Sequence, residues 1–395
     1  MSSSRNERRQ DALHKRRQQA TARTAAARRV ARRRRRLIGG AAFTAFAVVA
    51  GTVGYLALRE EKGPSRELRA ERVPGATGAL AMSATPASYR AVYRVEAYQG
   101  TEVTESTEEV SVRRPFDGRV EIREGAPPGG AAQFSGRSTF GTYANYTEAG
   151  KAQIADDAPT VALGDVRVAA SMDELVKQKL FVQGDRRRAL GRQCQTYRTG
   201  SPLQSLKITA PTATDYVDVC LDEAGLILEE VTIAGGVVTQ RLTATSMEID
   251  ASLDPAIFVI EGPRVGTDQG GAVVTEVDRT VAPAPGYWAP AAVPPGWTHR
   301  GRYLVVGKGP SHVDVYVRGI DVVTIRQGPV AAEPDLTDAG PGREAGLGAL
   351  GTGQLVLRSV GPTFLTRPGA DSFVHLTGSV SPAELESIAS GLRVG

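Results

Sequence analysis

The sequence predicts an α+β protein. A single transmembrane helix comes first, then a domain built on one antiparallel sheet with a few helices, then a smaller α+β domain at the C-terminus. Three observations carry this. Residues 37–58 are 22 positions without a charged side chain. At about 1.5 Å of rise per residue, a helix of that length crosses a hydrocarbon core roughly 30 Å thick. Beyond it, one segment after another alternates apolar and polar residues with the period of a half-buried strand. A Gly- and Pro-rich break, residues 262–295, then divides the outer part in two.

Residues 1–36 are a basic tail. Fourteen Lys and Arg, among them the run from Arg32 to Arg36, stand against Glu7 and Asp11, which gives the tail +12. The whole chain carries +5, so the remainder carries −7. Basic flanks stay cytoplasmic. The predicted location is therefore the cell membrane, single-pass, with the N-terminus cytoplasmic and an acidic C-terminal bulk outside. The apolar run exceeds a signal-peptide core, and Tyr55-Leu56-Ala57-Leu58-Arg59-Glu60 offers no small-x-small cleavage site, so a retained signal-anchor is expected. Gly39, Gly40, Thr44, Gly51 and Gly54 dilute its hydrophobicity. The tail suits anionic lipids, at about 1 kcal/mol per basic residue near the surface. No aromatics are interleaved for base stacking, so nucleic acid is not an expected partner. Residues 59–84, charged and then Pro-, Gly- and Ala-rich, read as a stalk.

The first domain is expected over residues 85–262. Tyr89 to Tyr98, Glu109 to Arg113 and Arg119 to Arg123 alternate as strands, with Pro115-Phe116-Asp117-Gly118 as a turn. Further strands are expected at 206–209, 215–222, 226–233 and 237–245. The short breaks Glu223-Ala224-Gly225 and Ala234-Gly235-Gly236 have hairpin length. One helix is predicted over 171–181, with Ser171 as cap, Glu174 three residues on, and Leu175, Val176 and Leu180 on its apolar side.

Residues 263–285 read as a linker, and the second domain is expected over 286–395. Its strands are predicted at 303–306, 312–317, 321–326, 354–360 and 371–378. Its helix is well signed: Ser381 as N-cap, Pro382 at the first helical position, Glu384 closing a capping box, and Leu385, Ile388, Ala389 and Leu392 as the buried stripe.

Cys194 and Cys220 are the two cysteines, both in the outward part. An oxidising compartment favours pairing them, and their strand-like surroundings suit a bridge between neighbouring strands. No Cys-x-x-Cys pair exists for redox exchange, and no His pair accompanies them for zinc.

Catalytic patterns are missing. The four histidines make no His-Glu-x-x-His arrangement and there is no Gly-x-Ser-x-Gly elbow. His375, within strand-like sequence, reads as a satisfied structural histidine. Gly346-Leu347-Gly348-Ala349-Leu350-Gly351 matches Gly-x-Gly-x-x-Gly, but a strand follows it where a dinucleotide site needs a helix N-terminus. Asn145-Tyr146-Thr147 matches a glycosylation sequon. No metal, cofactor or enzymatic activity is expected. A binder remains, with an apolar groove on one face of a curved sheet. The candidates to line it are Tyr89, Val92, Tyr93, Val95, Tyr98 and Phe116; the competing reading places them in a dry core.

Tyr93-Arg94-Val95-Glu96 and the stretch from Val112 to Val120 resemble the opening hairpin of the lipoprotein-carrier fold (LolA/LolB type), an unclosed half-barrel with helices on its concave side. Asp218 to Glu229 resembles its strand-turn-strand pattern of Asp, then Gly, then apolar residues. Pro294-Pro295-Gly296-Trp297, the strand 312–317, Gly346 to Ala349 and Val380 to Ala389 resemble the small C-terminal domain of envelope-stress sigma-factor regulators of the RseB/MucB kind. Together these cover residues 85–395. The resemblance implies a non-enzymatic extracytoplasmic protein of sensor or regulator type. It would bind lipid or lipoprotein acyl chains in the half-barrel and hold a membrane-bound anti-sigma factor. The alternative is a structural or protein-interaction module of the envelope that binds no lipid. Residues 317–323 lack the family's usual Asp-Gly-Leu segment.

Overall fold

Alternation from Tyr89 to Tyr98 becomes one strand with an unbroken register. In the computed structural model, β2 (Ser88–Gln99) pairs with β3 (Glu102–Arg113) from Ser88 opposite Arg113 to Gln99 opposite Glu102. An unbroken register fixes both faces. Tyr89, Ala91, Tyr93 and Val95 are buried on one side, while Arg90 and Arg94 are exposed on the other. The structure describes residues 64–76, 78–82, 85–124, 158–205, 207–259, 272–279, 286–307, 309–334 and 342–395, and the backbone of 134–139, 142–146 and 152–156. The basic tail, the uncharged run and Thr147 of the sequon lie outside them. Among the described residues, no helix is long and apolar enough to cross a membrane.

The first sheet has twelve antiparallel strands in the order β1-β8-β9-β10-β11-β12-β2-β3-β4-β5-β6-β7. They are β1 (Glu71–Arg72), β4 (Asp117–Glu124), β5 (Phe134–Thr139), β6 (Thr142–Tyr146), β7 (Ala152–Asp156), β8 (Val182–Ala189), β9 (Arg192–Thr199), β10 (Tyr216–Asp222), β11 (Ile227–Ala234) and β12 (Val237–Ile249), besides β2 and β3. The β10–β11 hairpin shows what Asp222 and Gly225 do. The Asp222 carboxylate accepts the amides of Ala224 and Leu226 at 3.0 and 2.8 Å. Gly225 takes φ +77, a left-handed turn position that favours glycine.

The predicted helix is shorter than expected. α1 spans Met172–Lys177, and Lys179 at φ 57 ends it. Ser171 makes no capping bond because a 3-10 turn, Val168–Ser171, runs directly into the helix and denies it extended geometry. Of the strand expected over 206–209, Leu206 lies outside the described residues and 207–209 form no strand; only Lys207 bridges, to Arg358.

The second sheet runs β13-β15-β16-β17-β21-β20-β19-β18. Its strands are β13 (Val273–Val277), β15 (Thr298–Val306), β16 (Pro310–Arg318), β17 (Asp321–Pro329), β18 (Gly342–Gly346), β19 (Thr352–Arg358), β20 (Gly361–Gly369) and β21 (Ser372–Gly378), with β14 (Trp288–Pro290) and β22 (Leu392–Val394) paired apart. α2 (Pro382–Ser390) has the expected N-cap, since the Ser381 side chain accepts the Glu384 amide, and Leu385 and Ala389 are buried; the Glu384 carboxylate pairs with Arg318 and closes no capping box, Ile388 is half-buried and Leu392 falls in β22. The second sheet begins within the expected linker, because β13 pairs with β15. The glycine-rich hexapeptide turns between β18 and β19, so a strand precedes it and a strand follows.

Arg167 ties the two sheets. Its backbone amide donates to the Ser359 carbonyl at 2.7 Å, and its guanidinium reaches the Ile320 carbonyl and Asp321. Asp165 holds that guanidinium in place and also takes Arg114 through two bonds, at 2.9 and 2.6 Å.

The expected stalk is corrected by the residues that follow Pro64. Residues 65–72 lie across the outer face of the first sheet as a strap. Leu68 and Ala70 pack with Cys194, Cys220, Leu228 and Val231, and β1 joins the sheet edge at β8. Side chains of the sheet grip the strap backbone. Arg241, almost fully buried, donates to the carbonyls of Ser65 and Glu67. Glu229 accepts the amides of Arg69 and Ala70, both at 2.8 Å. Arg187 donates to the carbonyls of Leu68 and Ala70. Arg241 also pairs with Glu229. The Cys194–Cys220 disulfide joins β9 to β10 beneath the strap; by the chain-entropy relation it contributes about 3–4 kcal/mol.

Removing one partner of a buried ion pair strands the other charge, at about 3–5 kcal/mol. Arg241→Met is therefore expected to lower stability by that amount in urea unfolding. It should also open the backbone near residue 68 to protease under native conditions, while Arg90→Met on the exposed face of β2 changes neither.

Candidate ligand site inside the first sheet

Apolar alternation in β2, β3 and β10–β12 gives the first sheet a continuous inner face. Tyr89, Ala91, Tyr93, Val95, Val110, Val112, Val219, Leu221, Leu226 and Leu242 belong to one buried cluster. Leu175 of α1, then Leu180 and Phe181, and Leu203 in the connection after β9 cover part of this face, and the same buried cluster continues into residues of the second sheet, among them Leu355 and Phe364. Phe181 leans on Tyr197 with ring centroids 5.6 Å apart. Part of this cover, residues 201–205, is irregular chain.

The six groove candidates do not share one surface. Tyr89, Tyr93 and Val95 meet on the inner face, buried in the core cluster. Val92 is half-buried on the outer face, since the register alternates strictly. Tyr98 is also outward; it packs against the strap cluster and donates to Glu96 at 3.1 Å. Phe116 leaves the first sheet to pack with Val313, Val315 and Tyr303 of the second. A groove lined by all six does not exist, because period-two alternation sends neighbours to opposite faces.

Two inward carboxylates, absent from the expected set, lie in this interior. Glu108 sits opposite Tyr93 across the β2–β3 ladder, and Glu230 sits opposite Leu242, itself opposite Val95. They are 3% and 4% exposed. Gln204 donates its side-chain amide to Glu108 at 2.6 Å, and the Leu203 backbone amide donates to Glu230 at 3.0 Å. The connection at residues 201–205 is thus latched over the interior by these two acids. Burial, and then repulsion from Glu230, push the Glu108 carboxyl up to about 8. Burial pushes Glu230 up to about 7, against the pull of the Leu203 amide. The Tyr93 hydroxyl is driven well above its usual range by burial, with Tyr89, Glu108, Asp222 and Glu230 adding to it.

The sequence did carry a signal for both acids. Val110 and Val112 point inward, so Glu108 two residues earlier shares their face. In Leu228-Glu229-Glu230-Val231 adjacent acids must face opposite sides, and they do: Glu229 holds the strap and Glu230 the latch. Residues 203 and 204 had no such signal, since an irregular segment has no period to read.

Other polar clusters are self-contained. Asp314, fully buried, accepts from Tyr287, His299 and Arg302 at 2.7, 2.8 and 2.8 Å, and against the upward push of burial the His299, Arg302 and Tyr287 donors hold its carboxyl below the usual range. His375 is buried as expected, but its Nε2 has no hydrogen-bond partner. Burial, with Arg358 and Arg326 nearby, pushes it down to about 3, so it stays neutral. Among the described residues there is no group of three or more His, Cys, Asp or Glu placed to hold a metal.

No family model matches the chain, and no curated protein matches it. Among solved structures it is similar to the Pseudomonas aeruginosa MucA/MucB complex, at 13% identity over 78% of this chain and 93% of that one, with a TM-score of 0.29. It is also similar to MucB in complex with periplasmic MucA, at 14% identity over the same shares and a TM-score of 0.27. A putative outer membrane lipoprotein-sorting protein domain from Vibrio parahaemolyticus matches 43% of this chain and 88% of its own, at 10% identity and a TM-score of 0.22. These likenesses fall on the same two groups as the sequence resemblance. At such scores they carry nothing about ligand or partner.

A carboxyl raised in the folded state binds its proton more tightly there. The stability this contributes is full below the unfolded value near 4.5 and is lost as pH rises to about 8. Glu108→Gln is therefore expected to unfold with the same stability as the parent near pH 4 and to exceed it by about 1–3 kcal/mol at pH 9. Urea titrations at both pH values check this.

Proposed function

We propose that this chain is a membrane-anchored, extracytoplasmic binding protein of sensor or regulator type, which takes a lipid acyl chain into the interior of its first sheet. One observation carries the reading: the apolar inner face is covered on one side by an irregular segment, residues 201–205, latched by polar contacts to Glu108 and Glu230. Displacing that segment would expose a continuous apolar wall without breaking a strand pair. The uncharged run at 37–58, the basic tail and the disulfide support an anchored, outward-facing placement. Six residues separate Leu58 from Ser65, where the strap begins. The proposed function is non-enzymatic, on the strength of a sequence without a Gly-x-Ser-x-Gly elbow or a His-Glu-x-x-His arrangement. Its protein partner would be membrane-bound and of the anti-sigma kind, on the strength of the sequence resemblance.

A second reading is favoured by the filled interior. With Tyr89, Tyr93 and Val95 all buried in the core, the domain serves equally as a protein-contact module that binds no lipid. Native mass spectrometry of the delipidated full chain separates the two. An acyl-bearing ligand should rebind at one per chain, and Leu203→Trp, which enlarges the plug, should weaken it at least tenfold. If nothing acyl-bearing co-purifies or rebinds, the contact module stands.

A further inference from the structure

Arginine accompanies nearly every buried carboxylate of this protein. Asp165 has Arg114 and Arg167. Asp222 has Arg192, Glu229 has Arg241, Asp314 has Arg302, Glu121 has Arg123 and Glu96 has Arg69. Glu108 and Glu230 break the pattern. Among the described residues no Lys, Arg or His pairs with either, and their partners are an amide side chain and a backbone amide from one displaceable segment. Leaving a buried carboxylate without a cation is costly, and here two stand together.

A second observation points to the same place. Tyr93, 4% exposed, faces Glu108 directly across the ladder and lies within electrostatic reach of Glu230. Its hydroxyl makes no hydrogen bond among the described residues, whereas the hydroxyl of Tyr89 on the same strand donates to the Gly164 carbonyl at 3.0 Å. Two carboxylates without a cation, each held by a single donor, and a phenol oxygen without a bond therefore share one buried face.

We propose that Glu108, Glu230 and Tyr93 form a subsite for a primary ammonium group, reached when residues 201–205 swing aside. An ammonium has three N–H donors and no acceptor, which matches three acceptor groups. A quaternary ammonium has no donor to offer them. A divalent metal would require more carboxylate or histidine ligands than are present. Once seated, the ammonium replaces the Leu203 and Gln204 donors and supplies the charge that the interior lacks. The subsite rests on the acyl-binding reading where the ammonium belongs to a lipid headgroup, and it stands alone where the amine is free.

The test uses the full chain in a non-ionic detergent at pH 8. Lysophospholipids of one acyl chain and three headgroups, ethanolamine, choline and glycerol, are compared by native mass spectrometry. Free ethanolamine is assayed in parallel by thermal shift. The ethanolamine lipid should be retained at least tenfold over the other two. Glu108→Gln/Glu230→Gln and, separately, Tyr93→Phe should reduce that preference while still holding the acyl chain. Both preserve shape, and the first removes repulsion, so folding is retained. Equal retention of all three headgroups by the parent, or an undiminished preference in the double variant, overturns the subsite. If no lipid is retained at all, the acyl reading fails separately. Stabilisation by free ethanolamine that the double variant abolishes then supports a free-amine site, and its absence overturns the subsite too.

Discussion

An open antiparallel sheet with two apolar faces must have both covered, and this single constraint shapes the first domain. β11 is buried on both sides along most of its length. Its outer side is closed by the strap of residues 65–72, its inner side by α1, Phe181 and the latched segment at 201–205. Residues 65–70 of the strap and 201–205 of the inner cover are irregular, so these stretches have no ladder to satisfy their backbone. The sheet supplies the missing partners from its side chains. Arg187, Glu229 and Arg241 serve the strap backbone on one face, and Glu230 serves the Leu203 amide on the other. Adjacent glutamates in one strand thus close both sides.

The two covers differ in electrostatics. On the outer face the buried acids Glu96 and Glu229 have arginines, and the strap is fixed by matched charges and hydrogen bonds. On the inner face the acids have no cation, and their shared burial favours the protonated form. Ionisation therefore favours opening of the inner cover while leaving the outer one in place. An opening on that side exposes the apolar wall and leaves the sheet intact, which is the mechanical requirement for a protein that holds and releases a ligand.

Much of the architecture was legible in the sequence. Strict alternation located β2, β4, β10, β11, β12 and most of the second sheet, and the signals at Ser381, Pro382 and Glu384 located α2. Segments without clear alternation were missed: β8 reads Val-Gln-Gly-Asp-Arg-Arg-Arg-Ala and acquires strand geometry only by pairing with β9. The strap was read as a stalk because its Pro, Gly and charge content suits a spacer, and no local pattern records that distant Arg241 and Glu229 grip it. The groove list mixed faces because it followed residue type, aromatic and aliphatic, and not parity. The same parity would have placed Glu108 and Glu230 inward. Cys194 and Cys220 pair as anticipated, since adjacent strands bring them to a Cα separation of 5.4 Å.

Hydrogen exchange at the Leu203 amide, followed from pH 6 to pH 9 and corrected for intrinsic rate, addresses the central claim most directly. If buried carboxylates govern the inner cover, protection at Leu203 falls across that range while the core amides of β11 stay protected, and Glu108→Gln/Glu230→Gln removes the fall. Protection at Leu203 that stays constant with pH, or that tracks global unfolding together with β11, contradicts it.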